Sequence, residues 1–290
     1  MSRVYRALER AEKERRRKSQ EEPFLGIFRE DLIPPKKESI SPKESINLET
    51  IDLSLEKIEV PLIEKEEVPI AIASPDSFAE EEFRKLKAFL FRRSPQPPRI
   101  VLITSAAQQE GKTLVAMNLA MAISQEIHKK VILIDADLRK AGTYNGGDKN
   151  RKGLSNYLMN ETTLPELLVN FEAKNIVIIP SGTHSSKAAE LIGSGKMKDL
   201  LRDLREFGEE TYVIIDSPPV LSTSEPLLLS EWVDGVILVV KGGGVPRETI
   251  RRVVDSIGHR KILGVVFNRR DLKPSKNNSG YGYYYRYPKK

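Results

Sequence analysis

RIVLITSAAQQEGKTLVAMNL, residues 99–119, is the stretch on which the fold turns. It opens with the apolar run Ile100-Val101-Leu102-Ile103 and continues through small and polar residues from Thr104 to Glu110. Gly111-Lys112-Thr113 follow, and then a helix-favouring run from Leu114 to Ile123. The order is strand, loop, helix, with Gly-Lys-Thr at the junction. That is the context in which a phosphate-binding loop carries meaning.

The physics asks for these residue types there. Backbone N–H groups at a helix N-terminus, together with the helix dipole, form an anion site. Gly111 has no Cβ, so the main chain can come close to a phosphate oxygen. Lys112 can reach the β- and γ-phosphates of ATP, or the β-phosphate of ADP, and the Thr113 hydroxyl can ligate Mg2+. Ala106, Ala107, Gln108, Gln109 and Glu110 complete the candidate loop, with Ala106 where a first glycine is usual. The competing reading is a Lys-Thr pair that only starts a surface helix; the flanking strand and helix argue against it.

Composition bounds the rest. The chain has 290 residues, a formal net charge of +6, 39% apolar and 30% charged residues. This predicts a globular domain with solvated extensions. There is no cysteine, which excludes disulfides and thiolate metal sites. His128, His184 and His259 have no metal-ligand spacing. No apolar run reaches the roughly 20 residues of a membrane span, and no secretory leader is visible, so a cytoplasmic protein is expected. The basic balance permits contact with nucleic acid or anionic lipid without demanding it, and no nucleic-acid partner is expected.

Taken in order, residues 1–18 predict a basic helix, with Val4, Ala7, Leu8 and Ala11 on one narrow apolar face. Its alternatives are a fraying solvated helix, or docking to a partner or to the inner face of a membrane. Residues 19–75 are rich in Glu, Lys, Ser and Pro and read as a mostly disordered linker, in which 58–63 and 68–72 are apolar enough for short edge strands. Residues 76–271 form the main domain. It begins with a helix near 76–92, where Phe78, Phe83, Leu86, Phe89 and Leu90 make an apolar stripe and Glu81, Arg84 and Lys87 share another surface. Strand and helix patterns then alternate to Asn268. The loop from Ala141 to Lys152 is polar, Gly-rich and expected to be mobile, and the helix over 186–207 has a break at Gly193-Ser194-Gly195. Residues 272–290 are a flexible tail holding Tyr281, Tyr283, Tyr284, Tyr285 and Tyr287.

Apolar strands alternating with helices predict an α/β fold: a doubly wound, mostly parallel sheet covered on both faces. Ligands of such sheets bind at the carboxyl ends of the strands. Asp135 and Asp137 end the run Val131–Ile134, and Asp216 ends the run Tyr212–Ile215. With the phosphate loop, three polar groups fall on one edge of one sheet. Two aspartates so close repel each other unless a cation lies between them or one is protonated. Mg2+ supplies that cation, held by Thr113, Asp135, Asp137 and Asp216. A carboxylate left over can accept the proton of an attacking hydroxyl. Lys112, Asp135 and Asp137 are therefore the catalytic candidates. The bland alternative, a helix N-cap, suits one aspartate and not both. Asn268, at a strand end in Asn268-Arg269-Arg270-Asp271, is a candidate adenine contact.

Together these motifs resemble the bacterial tyrosine kinases of the P-loop superfamily. VILIDADLRK (131–140) resembles their second Walker motif, an apolar run followed by Asp-x-Asp-x-Arg, at Asp135, Asp137 and Arg139. YVIIDSPP (212–219) is similar to their Walker B pattern, and AAQQEGKT (106–113) to their Walker A. EEFRKLK (81–87) resembles their Glu-x-x-Arg-x-x-Arg oligomerisation helix, with Lys87 replacing the second Arg. The tail resembles their C-terminal tyrosine cluster. The resemblance covers roughly residues 76–290 and implies ATP- and Mg2+-dependent autophosphorylation of a neighbouring subunit's tail. It further implies ring-like homo-oligomers, control of capsule or exopolysaccharide synthesis and export, and reversal by a phosphatase. It implies Arg139 at the nucleotide, and a separate membrane activator of polysaccharide co-polymerase type, or none. The main alternative is a partition or septum-positioning ATPase of the same superfamily. Those carry a lysine where Ala107 stands, and a tyrosine tail is no part of their chemistry. Each tail phosphate would add about −1.5 to −2 charges, enough with several to reverse the sign set by Lys273, Lys276, Arg286, Lys289 and Lys290.

Overall fold

The computed structural model describes residues 62–63 (backbone only), 72–93, 96–140, 142–144, 148, 150–171 and 175–269. All of them belong to one compact unit within residues 54–290. The basic helix expected over 1–18, most of the linker 19–75, and the tail 272–290 with its tyrosines lie outside the described residues.

The sheet has eight strands. They are β1 (Leu62–Ile63), β2 (Ile100–Ser105), β3 (Lys130–Asp135), β4 (Val169–Phe171), β5 (Ile176–Ile179), β6 (Thr211–Asp216), β7 (Gly235–Lys241) and β8 (Ile262–Asn268). Their spatial order is β1-β4-β5-β3-β6-β2-β7-β8, and every pairing is parallel except β4 with β5. Strands β2 and β6 are buried along their whole length, which is why they read as unbroken apolar runs and not as alternations. The 58–63 segment contributes β1, so part of the expected linker joins the sheet edge. Strand β4 was not expected: three residues are too short for a pattern to show.

The helices are α1 (Phe78–Phe91), α2 (Lys112–Ser124), α3 (Leu154–Leu158), α4 (Leu164–Leu167), α5 (Ala188–Ile192), α6 (Gly195–Glu206), α7 (Glu225–Trp232) and α8 (Arg247–Ile257). Helix α2 buries residues on all sides, from Val115 through Ser124, as a helix apolar all round must. It is covered by α1, whose Phe83 and Leu86 pack on the core cluster while Leu90 is buried within it. Ser77 caps α1 by accepting the Glu80 N–H at 3.1 Å. The expected break falls between α5 and α6, where Ser194 accepts the Met197 N–H at 3.3 Å.

At the N-terminal end of β2, Asp234 Oδ2 accepts the N–H groups of Arg99 and Ile100 at 2.8 and 2.9 Å, and Arg205 pairs with Asp234 Oδ1 at 2.7 Å. Burial works to raise this acid, but those partners hold it below the ordinary aspartate range. The other end of β2 leads into the phosphate loop. Among the described residues, no helix is long and apolar enough to cross a membrane.

Candidate active site

The register of the sheet builds the site. Asp216 stands level with Asp135 across β3–β6 and with Ile103 across β2–β6. Two acids from adjacent strands therefore reach the same height at the carboxyl edge, beside the loop that leaves β2. Ala136 N–H donates to Asp216 O at 2.8 Å, and Ser217 N–H to Ile103 O at 3.1 Å, so the strands stay locked as they end.

The loop takes its shape from two left-handed positions, Gln109 (φ 59°) and Gly111 (φ 95°). At Gly111 a Cβ would lie 1.9 Å from Asn268 Nδ2, so only glycine fits. Ala106 needs no positive φ and is fully buried, which is why alanine serves where a glycine is usual. Gln108 and Gln109 are exposed at the loop tip. Glu110 is 2% exposed and turns backward: Oε2 accepts Ala107 N–H at 2.8 Å and Oε1 accepts Lys241 N–H at 3.2 Å. Asn268 Nδ2 donates to Glu110 O at 2.9 Å, which brings the end of β8 against the loop.

The electrostatics follow from burial. Asp135 is raised well above the aspartate range by desolvation and then by the Asp216 charge. Asp216 is pushed up to about 6 by desolvation, against the pull of the Thr113 hydrogen bond and the Lys112 charge. Asp137, half-buried, is also raised by desolvation, with Lys112 and Lys140 opposing. Desolvation lowers Lys112, while Asp216, Asp137 and Glu110 hold it up. The site thus sets one partly buried ammonium among three acids that resist ionising together.

Among the described residues, no three His, Cys, Asp or Glu side chains converge as a complete metal cage. Mg2+ rarely has one: it takes one or two carboxylates, a hydroxyl, phosphate oxygens and waters. Asp216 Oδ1 is buried without a hydrogen-bond partner, an acceptor in want of a cation or a proton. Thr113 is the first-turn hydroxyl beside it. The residues fit Mg2+ arriving with nucleotide.

Three features of the site rest on contacts between residues far apart in the chain. The loop over 141–152 was expected to be mobile, yet Tyr144 is fully buried, its hydroxyl 3.3 Å from Asp216 Oδ2 and 3.4 Å from Thr113 O. A lone aromatic in a polar, Gly-rich segment was the available signal. Arg139 donates from Nε to Glu225 Oε1 at 2.7 Å, and Glu225 is fully buried at the start of α7. In this state Arg139 is therefore engaged by α7. An acid ahead of a proline at a helix start gave no hint of that pairing. Third, Lys87 pairs with Glu126 at the end of α2, while Arg84 pairs with Glu80 and Glu81 of its own helix at 3.1 and 3.6 Å. Glu81 and Arg84 are exposed; Lys87 is mostly covered.

Comparison with known proteins agrees with this geometry. The AAA domain family matches residues 99–258. Tyrosine-protein kinase YwqD of Bacillus subtilis is 31% identical over 219 residues, covering 74% of this chain and 90% of that protein. The succinoglycan biosynthesis transport protein ExoP of Rhizobium meliloti is 29% identical over 210 residues, 70% of this chain but 26% of that protein. The kinase domain of Escherichia coli tyrosine kinase ETK superposes with a TM-score of 0.64 at 28% identity, covering 73% of this chain and 84% of that one. A P-loop edge with three aspartates and these relatives lead to one assignment: the chain belongs to the bacterial tyrosine-protein kinase family.

Proposed function

We propose that the chain is an ATP- and Mg2+-dependent protein-tyrosine autokinase. Its acceptors are Tyr281, Tyr283, Tyr284, Tyr285 and Tyr287 of a neighbouring subunit's tail. The observation that carries this reading is Asp216, a buried acid with an unpartnered oxygen, level with Asp135 and beside Lys112 and Thr113.

Mg2+ bound with nucleotide would supply positive charge against the phosphates, and Thr113 and Asp216 are the residues that would hold it. Asp135, level with Asp216 on the neighbouring strand, would support that site. The N–H groups at the start of α2 cradle the phosphates, and Lys112 draws charge from the γ-phosphoryl group. The acceptor phenol oxygen attacks the γ-phosphorus, and the bond to the β–γ bridging oxygen breaks. The phenol proton passes to the Asp137 carboxylate, whose raised affinity for protons suits it as base. ADP and phosphotyrosine leave.

A polysaccharide role is supported by the name of ExoP, a succinoglycan transport protein that carries a similar domain. On that reading a separate membrane protein of polysaccharide co-polymerase type activates the kinase and draws it to the inner membrane face, and a phosphatase resets it. Glu81 and Arg84 remain the proposed ring contact, with Lys87 engaged inside its own subunit.

The test mixes two full-length variants with ATP and Mg2+. One is Lys112→Met with its tail intact; the other is catalytically whole with all five tail tyrosines changed to Phe. Phosphotyrosine on the Lys112→Met chain, appearing only in the mixture, is the expected result. Signal on Lys112→Met alone, or undiminished signal on the five-Phe chain alone, would sink the proposal.

A further inference from the structure

We propose that Glu110 and Asn268 act as one positioning bracket that holds the phosphate loop from behind, and that Glu110 touches no phosphate. The proposal rests on the nucleotide-site reading above and adds a loop-holding role for two of its residues, distinct from the adenine contact expected of Asn268.

A glutamate in a phosphate loop is an electrostatic oddity, because a triphosphate beside it would be repelled. The geometry resolves this. Both carboxylate oxygens of Glu110 are engaged by the main chain, one by the Ala107 N–H and one by the Lys241 N–H. The first donor belongs to the loop itself and the second to the end of β7. An apolar residue at position 110 would leave two main-chain donors without that acceptor. One carboxylate satisfies both, with charge-assisted bonds.

Asn268 closes the other side. Its amide donates to Glu110 O at 2.9 Å, and its Oδ1 accepts the Arg269 N–H at 2.9 Å. Gly242 N–H donates to Asn268 O at 2.9 Å, so the same two strand ends are tied to each other. The bare Cα of Gly111 admits the Asn268 amide. Three chain segments, the loop, the end of β7 and the end of β8, thus meet on Glu110. The bracket fixes the left-handed turn at Gly111 before nucleotide arrives, so the binding step need not supply that ordering.

Glu110→Gln retains the shape but turns an amide NH2 toward one of the two N–H donors. The loop must then release one anchor. Losing a charge-assisted hydrogen bond predicts roughly tenfold weaker nucleotide binding. Asn268→Ala removes the second anchor and predicts a loss of roughly three- to tenfold. Because both changes free the same segment, the double variant should lose clearly less than the product of the two single losses.

The direct assay titrates full-length protein with a fluorescent ADP analogue and Mg2+, which requires no phosphoryl transfer. In parallel, the KM for ATP should rise about tenfold in Glu110→Gln while kcat stays within about twofold, because saturating nucleotide restores the loop. Unchanged analogue affinity in both single variants, or a kcat loss with KM intact, overturns the bracket. So does a fully multiplicative double variant. If Glu110→Gln does not fold, unchanged affinity in Asn268→Ala still refutes it. Wild type that binds no nucleotide would instead fail the site reading itself, a result distinct from any of these.

Discussion

Asp216→Asn should make the nucleotide-free protein more stable, and increasingly so as pH rises. The native acid is lifted from its ordinary 3.8 to about 6, mainly by desolvation. An acid with a raised native pKa binds its proton more tightly folded than unfolded. Folding stability therefore falls as pH climbs from 3.8 to about 6 and stays at the lower level above that. At about 1.4 kcal/mol per decade, the penalty at pH 8 is about 3 kcal/mol, and near pH 4 it shrinks to about 0.5 kcal/mol. Asparagine cannot ionise. Its carbonyl can still accept from Tyr144, and its NH2 takes the place of the unpartnered Oδ1. The cost of that unpaired donor is the same at both pH values and cancels in the comparison. The gain from Asp216→Asn should thus grow by about 2–3 kcal/mol between pH 4 and pH 8. Urea unfolding of wild type and variant at the two pH values, with chelator and without nucleotide, reads it directly. A gain that does not change with pH, or a wild type that outlasts the variant at pH 8, would refute the reasoning. The same variant should lose phosphotransfer, because this carboxylate is the one proposed to hold the metal.

Two other substitutions probe the surroundings. Gly153→Ala places a Cβ 2.3 Å from both Pro180 O and Gly182 N, which are backbone atoms and cannot step aside; about 2 kcal/mol or more should be lost, read as a lower urea midpoint. Tyr144→Phe removes the hydroxyl whose bond to Asp216 helps restrain that acid, so the upper end of the pH range over which stability falls should move upward. The hydrogen bonds lost are long, so the overall stability change should stay within about 1 kcal/mol.

Most of the site was legible because polar residues ended apolar runs. Ile100–Ile103, Val131–Ile134 and Tyr212–Ile215 are strands because burial on both faces leaves no other use for so many adjacent apolar side chains. Asp135 and Asp216 then had to lie at one edge, and the register puts them level. What escaped notice depends on contacts far apart in the chain. Glu110 reads as a member of the phosphate loop, and its bond to the Lys241 N–H lies 131 residues later in the chain. Arg139 finds Glu225 across 86 residues, and Tyr144 finds Asp216 across 72. Lys87 belongs to a helix-surface pattern, but its partner Glu126 lies just past the C-terminus of α2. Strand β4 pairs antiparallel with β5 over two residue pairs, too few for any periodicity to announce.

The Asp234 anchor at the lower end of β2 has a practical consequence. There the carboxylate, two N–H groups and a guanidinium satisfy one another, while the upper end of the same strand leads to acids left short of partners. The six residues of β2 hold these ends about 20 Å apart. Energetic effects at such a distance usually add without interacting. Robustness and turnover are thereby assigned to opposite poles of one strand. A thermally tuned version of this enzyme could be made by editing the Arg99–Asp234 pole alone, with its kinetics left as a clean readout of the other.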